Sequence, residues 1–295
     1  MKVALNQLLP KAGHPEINFR AMEQSIKQSV EAGAELCIFP EDFLYGVLRQ
    51  PSDLRKAGES FEQWVGRFCA LAKHNNIDLI PGTLPRRDKR LFNTAVYIDK
   101  NGAELSRYSK HNLWLSERDE YSPSLEPALV FQSILGKTAL IICWDMMDHR
   151  LFESAVRQGA EWIICVSFWS INQAEDLARK RGTAGNKRYS GFSDSALLDV
   201  LIPTRALEYN VGLLFCNFGG AHEYPGRLGI PQKAISAGRS QIVMPYKQQN
   251  AVLRKRSQAT LVFDLDLQVA AQTLKDTEIW YGRREDIVKR FPYNQ

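Results

Sequence analysis

A chain of 295 residues with 44% apolar and 24% charged residues can bury a substantial core and lacks the bias of a disordered or fibrous protein. Its 38 basic and 33 acidic residues leave a net charge of +5, and its basic clusters, Arg86-Arg87-Asp88-Lys89-Arg90 and Arg254-Lys255-Arg256, lack interleaved aromatics. That pattern reads as solvated loop and edge charge, against a nucleic-acid partner, and no apolar run approaches the roughly 18 residues of a membrane span.

Strand-like and helix-like segments alternate along the chain. Lys2 to Gln7 reads as a strand, Ile17 to Gly33 as a helix with Ala21, Met22, Ile26 and Val30 on one face, and Leu36 to Phe39 as a buried strand. A loop containing Pro51 follows. A helix over Phe61 to Asn75 then directs Trp64, Val65, Phe68 and Leu71 inward, and Ile77 to Leu84 reads as one strand. Asn93 to Asp99 and Ala103 to Ser109 form a predicted hairpin around Lys100-Asn101-Gly102. The second half continues the alternation, with a strand to Cys143, a helix over Leu151 to Gln158, a strand over Trp162 to Val166, a helix over Thr204 to Tyr209, and a strand over Val211 to Cys216. Late strands are expected at Ser240 to Met244 and Ala259 to Leu265. No linker or composition shift divides these segments, which predicts one layered α/β domain over residues 1–270 with a tail over 271–295. Residues 172–199, rich in Gly, Ser, Lys and Arg, are the exception and are expected to form an insertion or lid, with Arg179, Lys180, Arg181, Lys187 and Arg188 as its charged residues.

Five cysteines, an odd number without close pairing, suit reduced thiols rather than a disulfide framework or a zinc site. The five histidines show no ligand spacing, so neither a metal nor another cofactor is expected. The first residues alternate like a strand and contain no leader-like apolar region, which predicts a cytoplasmic protein.

Cys143 ends an apolar strand and precedes a helical pattern, Trp144-Asp145-Met146-Met147. A thiol at a strand's carboxyl end beside a helix N-terminus is a candidate nucleophile, because the helix dipole there favours the thiolate. A buried core cysteine fits the same position. Glu41, in Phe39-Pro40-Glu41-Asp42, follows another buried strand at the same predicted sheet edge, where a carboxylate in a partly apolar site has the proton affinity to accept a thiol proton. Lys110 ends the hairpin, where an ammonium can stabilise an oxyanion. Taken singly, a glutamate after a strand is usually solvated and a lysine usually lies on the surface.

The combination and order of these segments resemble the nitrilase superfamily of carbon-nitrogen hydrolases. The resemblance rests on Phe-Pro-Glu41, Tyr-Ser-Lys110 and Ile-Ile-Cys143-Trp-Asp, with Asn93-Thr94-Ala95, Gly159-Ala160-Glu161-Trp162, Arg205-Ala206-Leu207-Glu208-Tyr209-Asn210, Cys216-Asn217 and Gly238-Arg239-Ser240 in the expected order. It implies a four-layer αββα sandwich and a Glu-Lys-Cys triad, with Glu41 as general base, Lys110 as stabiliser of the tetrahedral intermediate and Cys143 as nucleophile. It also implies a second glutamate after the lysine, six residues before a Pro-Gly. Glu117 has that spacing to Pro123, with Ser124 in place of the glycine, and Glu120 is the alternative. The implied substrate is a small-molecule amide, hydrolysed through a thioester, and the implied assembly a homodimer or higher homo-oligomer.

Departures from the family pattern bear on substrate. Asn112 stands where family amidases often have histidine, and Met147 stands where members acting on acidic substrates have a carboxylate-clamping arginine. This argues for a neutral or apolar substrate, unless Arg150 or a basic residue of the 172–199 insertion substitutes. Asp145 after Cys143-Trp144 matches the amidase side of the family better than nitrilases, which usually have Trp-Glu. Trp144, Phe168 and Trp169 are candidate pocket walls, with core packing as the competing reading. N-carbamoyl amide or nitrile hydrolysis is the runner-up. A catalytically silent binding or scaffold member would usually have lost one of the triad residues, and a redox-sensing thiol would need a resolving cysteine near Cys143.

Overall fold

A computed structural model describes residues 1–171, 193–225, 231–245 and 250–281. In chain order the strands are β1 (Lys2–Gln7), β2 (Ala34–Ile38), β3 (Asp78–Ile80), β4 (Thr83–Arg87), β5 (Leu91–Ile98), β6 (Glu104–Ser109), β7 (Phe131–Ser133), β8 (Gly136–Ile142), β9 (Trp162–Ser167), β10 (Gly212–Asn217), β11 (Ala221–Pro225), β12 (Pro231–Ile235), β13 (Gln241–Val243), β14 (Ala251–Val252) and β15 (Ala259–Asp264). The helices are α1 (Pro15–Glu31), α2 (Pro51–Glu59), α3 (Phe61–Asn75), α4 (His149–Arg157), α5 (Asp194–Tyr209) and α6 (Leu267–Tyr281).

Two large sheets form the middle of the molecule. The seven-stranded sheet runs β15-β1-β2-β3-β5-β4 with β6 added on β5, and the six-stranded sheet runs β14-β13-β10-β9-β8-β7. In each, three consecutive strands of the spatial order are parallel, β1-β2-β3 and β8-β9-β10. Strand alternation divides their side chains between layers. Val3, Leu5, Leu36 and Ile38 point into the core shared with the second sheet, whereas Ala4 and Cys37 face a separate cluster with Phe19, Met22 and Ile26 of α1 and Trp64, Val65 and Phe68 of α3. Beyond the second sheet, Leu151, Phe152 and Ala155 of α4 and Leu198, Ile202 and Ala206 of α5 continue the first core. The order helix, sheet, sheet, helix is the αββα sandwich. Each fully buried Leu, Ile or Phe in these layers contributes roughly 1.5–3 kcal/mol of transfer free energy.

Several elements differ from the sequence reading. The expected strand over Ile77 to Leu84 is two strands, because Gly82 at φ +90° turns the chain where a Cβ would overlap the Pro40 carbonyl oxygen. The expected loop at Pro51 opens α2, with proline in the first helical turn, where its missing N–H costs nothing. The helix expected from Thr204 begins ten residues earlier at Asp194, capped by the Ser193 hydroxyl, and carries Pro203 inside it. The last part of the proposed 172–199 insertion is therefore helical, and residues 172–192 lie outside the described residues. The first part of the proposed tail is α6, whose Ala270 and Leu274 join the core and whose Leu274 carbonyl accepts a bond from Asn210 Nδ2 at 3.1 Å.

Candidate active site

The carboxyl ends of the parallel strands β2, β8 and β9 meet at one edge, where sandwiches and open sheets of this kind bind ligands. Glu41 follows β2, Cys143 follows β8, and Phe168 and Trp169 follow β9; Lys110 comes directly after the antiparallel strand β6. Glu117 lies on the short 3-10 turn Leu115–Asp119. All of these residues line one cavity of about 320 Å³, together with Asp42, Arg49, Tyr121, Trp114, Trp144 and Asp194.

Lys110 is the hub of the reacting groups. Its ammonium donates to Glu41 Oε1 at 2.8 Å and to both Glu117 oxygens at 3.0 and 2.8 Å. Lys110 and Glu41 are each 1% exposed, so neither charge would persist without the other. Burial opposes the Lys110 ammonium, but Glu117 and Glu41 outweigh it and hold its pKa well above the ordinary lysine value. Glu41 is held further by Asn93 Nδ2 at 2.8 Å on Oε1 and by the Phe168 N–H at 2.8 Å on Oε2. Burial and the carboxylate of Glu117 raise its pKa while Lys110 pulls it down, and the balance is upward. Glu117 also accepts the Trp114 N–H at 2.6 Å.

Cys143 is buried at the start of a 3-10 turn, Cys143–Met147, with φ +48°, a left-handed backbone that non-glycine residues rarely adopt. The expected helix dipole is absent: α4 starts only at His149. Burial pushes the thiol's pKa strongly up, the neighbouring carboxylates of Glu41 and Glu117 push the same way, and Lys110 opposes them. These surroundings favour the protonated thiol over the thiolate.

Asp145 fixes that turn from behind. Its Oδ2 accepts the Ile142 N–H at 3.1 Å and the Tyr108 hydroxyl at 2.7 Å, and its Oδ1 accepts the Asn112 N–H at 2.7 Å and Asn112 Nδ2 at 3.1 Å. Tyr108 and Asn112 flank Lys110 by two residues on either side. One buried carboxylate thus ties the lysine-bearing segment to the cysteine-bearing turn.

The other candidates sort cleanly. Trp144 packs between Trp114 (ring centroids 4.3 Å) and Trp169 (5.1 Å), making a continuous aromatic wall. Trp169 is anchored through its indole N–H to Asp194 Oδ1 at 3.1 Å, and Phe168 stacks on Phe218 at 3.8 Å. Glu120, the alternative to Glu117, pairs with Arg49 at 2.7 Å instead of reaching Lys110. Met147, read from the sequence as a pocket residue, is 40% exposed and is not among the described residues that line the cavity. Arg150 pairs with Asp148 at 2.8 Å with a 64% exposed side chain, and so does not supply the missing arginine. His111 leaves the site for the Glu126 carbonyl.

The sequence reading did not single out Asn93, Asp42, Arg49, Tyr121 or Asp145 as functional side chains. Asn93 carried a signal, an amide in an otherwise apolar hairpin strand, but its partners come from other elements. His222, buried on β11, accepts the Val47 N–H on Nε2 at 3.2 Å and contacts the Pro10 carbonyl through Nδ1 at 3.1 Å, so it holds the wall segment that carries Arg49. Burial lowers its pKa to about 4. Among the described residues no group of three or more His, Cys, Asp or Glu side chains forms a metal site, and no helix is long and apolar enough to cross a membrane.

Comparison with known proteins agrees with this architecture. The chain is similar over 98% of its length to a probable nitrilase of Schizosaccharomyces pombe, at 21% identity over 97% of that protein. A deaminated glutathione amidase of Synechocystis is 28% identical over 60% of this chain and 70% of its own. Among solved structures, the butyramide complex of an amidase from Nesterenkonia superposes with a TM-score of 0.73 at 22% identity, covering 99% of this chain and 97% of that one. A variant of the same amidase, with acrylamide added at its active-site cysteine, gives 0.72 at 22% identity over 97% of this chain and 99% of that one. The family model described as carbon-nitrogen hydrolase matches residues 2–275, and the chain belongs to that family, within the nitrilase superfamily.

Proposed function

We propose that this protein is a cysteine-dependent amidase that hydrolyses small linear amides through a thioester and releases ammonia. The observation that carries the reading is the convergence of the Lys110 ammonium with the Glu41 and Glu117 carboxylates beside the Cys143 thiol on one cavity wall.

In this reading the Cys143 proton passes to Glu41 as sulfur attacks the amide carbonyl carbon. The raised proton affinity of Glu41 suits a group that must take a proton and return it. The oxyanion is met by Lys110 and by the Trp144 N–H, which lies in the first turn of a helical segment and has no partner within it. Collapse of the tetrahedral intermediate breaks the C–N bond, and Glu41 protonates the departing ammonia, leaving an acyl-thioester. Water deprotonated by Glu41 then attacks the thioester, releasing the acid and restoring the thiol. Glu117 holds Lys110 in place and, as a second carboxylate on the wall, orients substrate or water.

An amide is favoured over a nitrile by Asp145, which follows Cys143-Trp144 where nitrilases usually have glutamate, and by the likeness to an amidase solved with butyramide. All three triad residues stand, which favours an enzyme over a silent binding member. The test is ammonia release across short amides, N-carbamoyl compounds and nitriles by the wild-type protein and by a Cys143→Ala variant of equal thermal stability. Release from amides that disappears in the variant supports the reading. A variant that keeps the wild-type rate overturns it.

A further inference from the structure

The cavity wall carries two polar groups that the chemistry above does not use. Asp42 adopts φ +56°, a strained backbone for a side-chain-bearing residue, and its carboxyl lines the cavity. Among the described residues no side-chain hydrogen bond or ion pair reaches that carboxyl or the hydroxyl of Tyr121, which lines the same wall. Burial pushes Asp42 well above the usual carboxylate range; Glu41 and Glu117 add to the push, while Lys110 and Arg49 oppose it.

The neighbouring cations are already engaged. Lys110 is bound by Glu41 and Glu117, and Arg49 by Glu120 at 2.7 Å. Among the described lining residues Glu41 and Glu117 pair with Lys110, and Asp194 accepts the Trp169 indole N–H, whereas no described cation pairs with Asp42. The same cavity is lined by Trp114, Trp144 and Trp169, whose ring faces attract cations. A substrate ammonium would supply the counter-charge that no described side chain gives Asp42.

We infer that the preferred substrates are amides whose acyl chain ends in a protonated amine, received by the Asp42 carboxylate and the Tyr121 hydroxyl, with the tryptophans flanking the intervening methylenes. This rests on the amidase reading, and it goes beyond the neutral or apolar substrate expected from Met147.

The test compares kcat/KM for ammonia release from 5-aminopentanamide, its neutral isostere hexanamide, and the acidic analogue glutaramate. A charge-assisted contact predicts a preference for the amine of at least about tenfold over each of the other two, expressed mainly in KM. In Asp42→Asn the ratio of 5-aminopentanamide to hexanamide should fall by about tenfold, and Tyr121→Phe, which keeps the ring, should lower the same ratio by a smaller factor. Ammonia from hexanamide with no gain for the amine, or an unchanged ratio in Asp42→Asn, overturns this inference and leaves the amidase reading standing. Ammonia from none of the three overturns both.

Discussion

Two parts of the cavity lining treat charge in opposite ways. Among the reacting groups the Lys110 ammonium is matched by Glu41 and Glu117 within 2.8 Å, and Asn93 and the Phe168 N–H satisfy Glu41 further. Elsewhere on the lining Asp42 and Tyr121 face the cavity without a described side-chain partner. The contrast teaches what each part is built for. A closed network holds its groups in one geometry before substrate arrives, which suits the bond-making step. A wall with an unengaged carboxyl leaves free energy to be gained only from a ligand that completes it, which suits selection.

The largest expected effect comes from breaking the closed network. Lys110→Met leaves two buried carboxylates facing each other without their cation, and truncating one member of such a network typically costs roughly 3–5 kcal/mol. Urea unfolding should show that loss together with abolished ammonia release. A stable, active Lys110→Met protein would mean the network is not the basis of the site.

Asp145 lies behind the same network and sharpens the comparison, because it is engaged as completely as Lys110 yet is not on the described cavity wall. Asp145→Ala strands the Ile142 and Asn112 N–H groups and the Tyr108 hydroxyl in a buried site, at an expected total of roughly 3 kcal/mol. It should lower kcat while changing KM little, since the defect lies in the spacing of Cys143 and Lys110 rather than in the wall that receives substrate. A raised KM with kcat intact would contradict that positioning role.

The smallest effect concerns the wall segment that carries Arg49, which His222 supports through Val47. Its folded pKa of about 4 lies below the ordinary 6.5, so the unfolded chain binds the proton more readily. Stability from this group is complete above pH 6.5, falls as pH drops, and is lost by the folded pKa; the linkage amounts to about 2 kcal/mol between pH 8 and pH 5. Denaturant midpoints across that range should show a slope that is reduced by this amount in His222→Gln.

Much of the site was legible in the chain because its residues sit where strands end. Phe-Pro-Glu41 and Ile-Ile-Cys143 announce buried strands followed by a polar group, and the order of Glu41, Lys110, Glu117 and Cys143 carried the family resemblance. The layered fold was legible for the same reason, through apolar runs alternating with amphipathic helices. What was hidden depends on tertiary placement. Asp42 reads as an ordinary loop acid until its left-handed backbone turns it into the cavity. Asp145 gains its meaning only from Tyr108 and Asn112, more than thirty positions earlier in the chain. Local signals also misled: the expected helix began only at Thr204, although α5 starts at Asp194 and runs through Pro203, and the helical pattern after Cys143 concealed a 3-10 turn with no dipole to offer the thiol.

The central claim is a thioester on Cys143, and hydroxylamine tests it most directly. Added during turnover of a short amide, hydroxylamine should intercept the acyl-enzyme and yield hydroxamate at the expense of the acid, with the yield rising with hydroxylamine concentration and vanishing in Cys143→Ala. Ammonia release that proceeds with no hydroxamate at any hydroxylamine concentration would contradict the account, because water would then be attacking the amide directly.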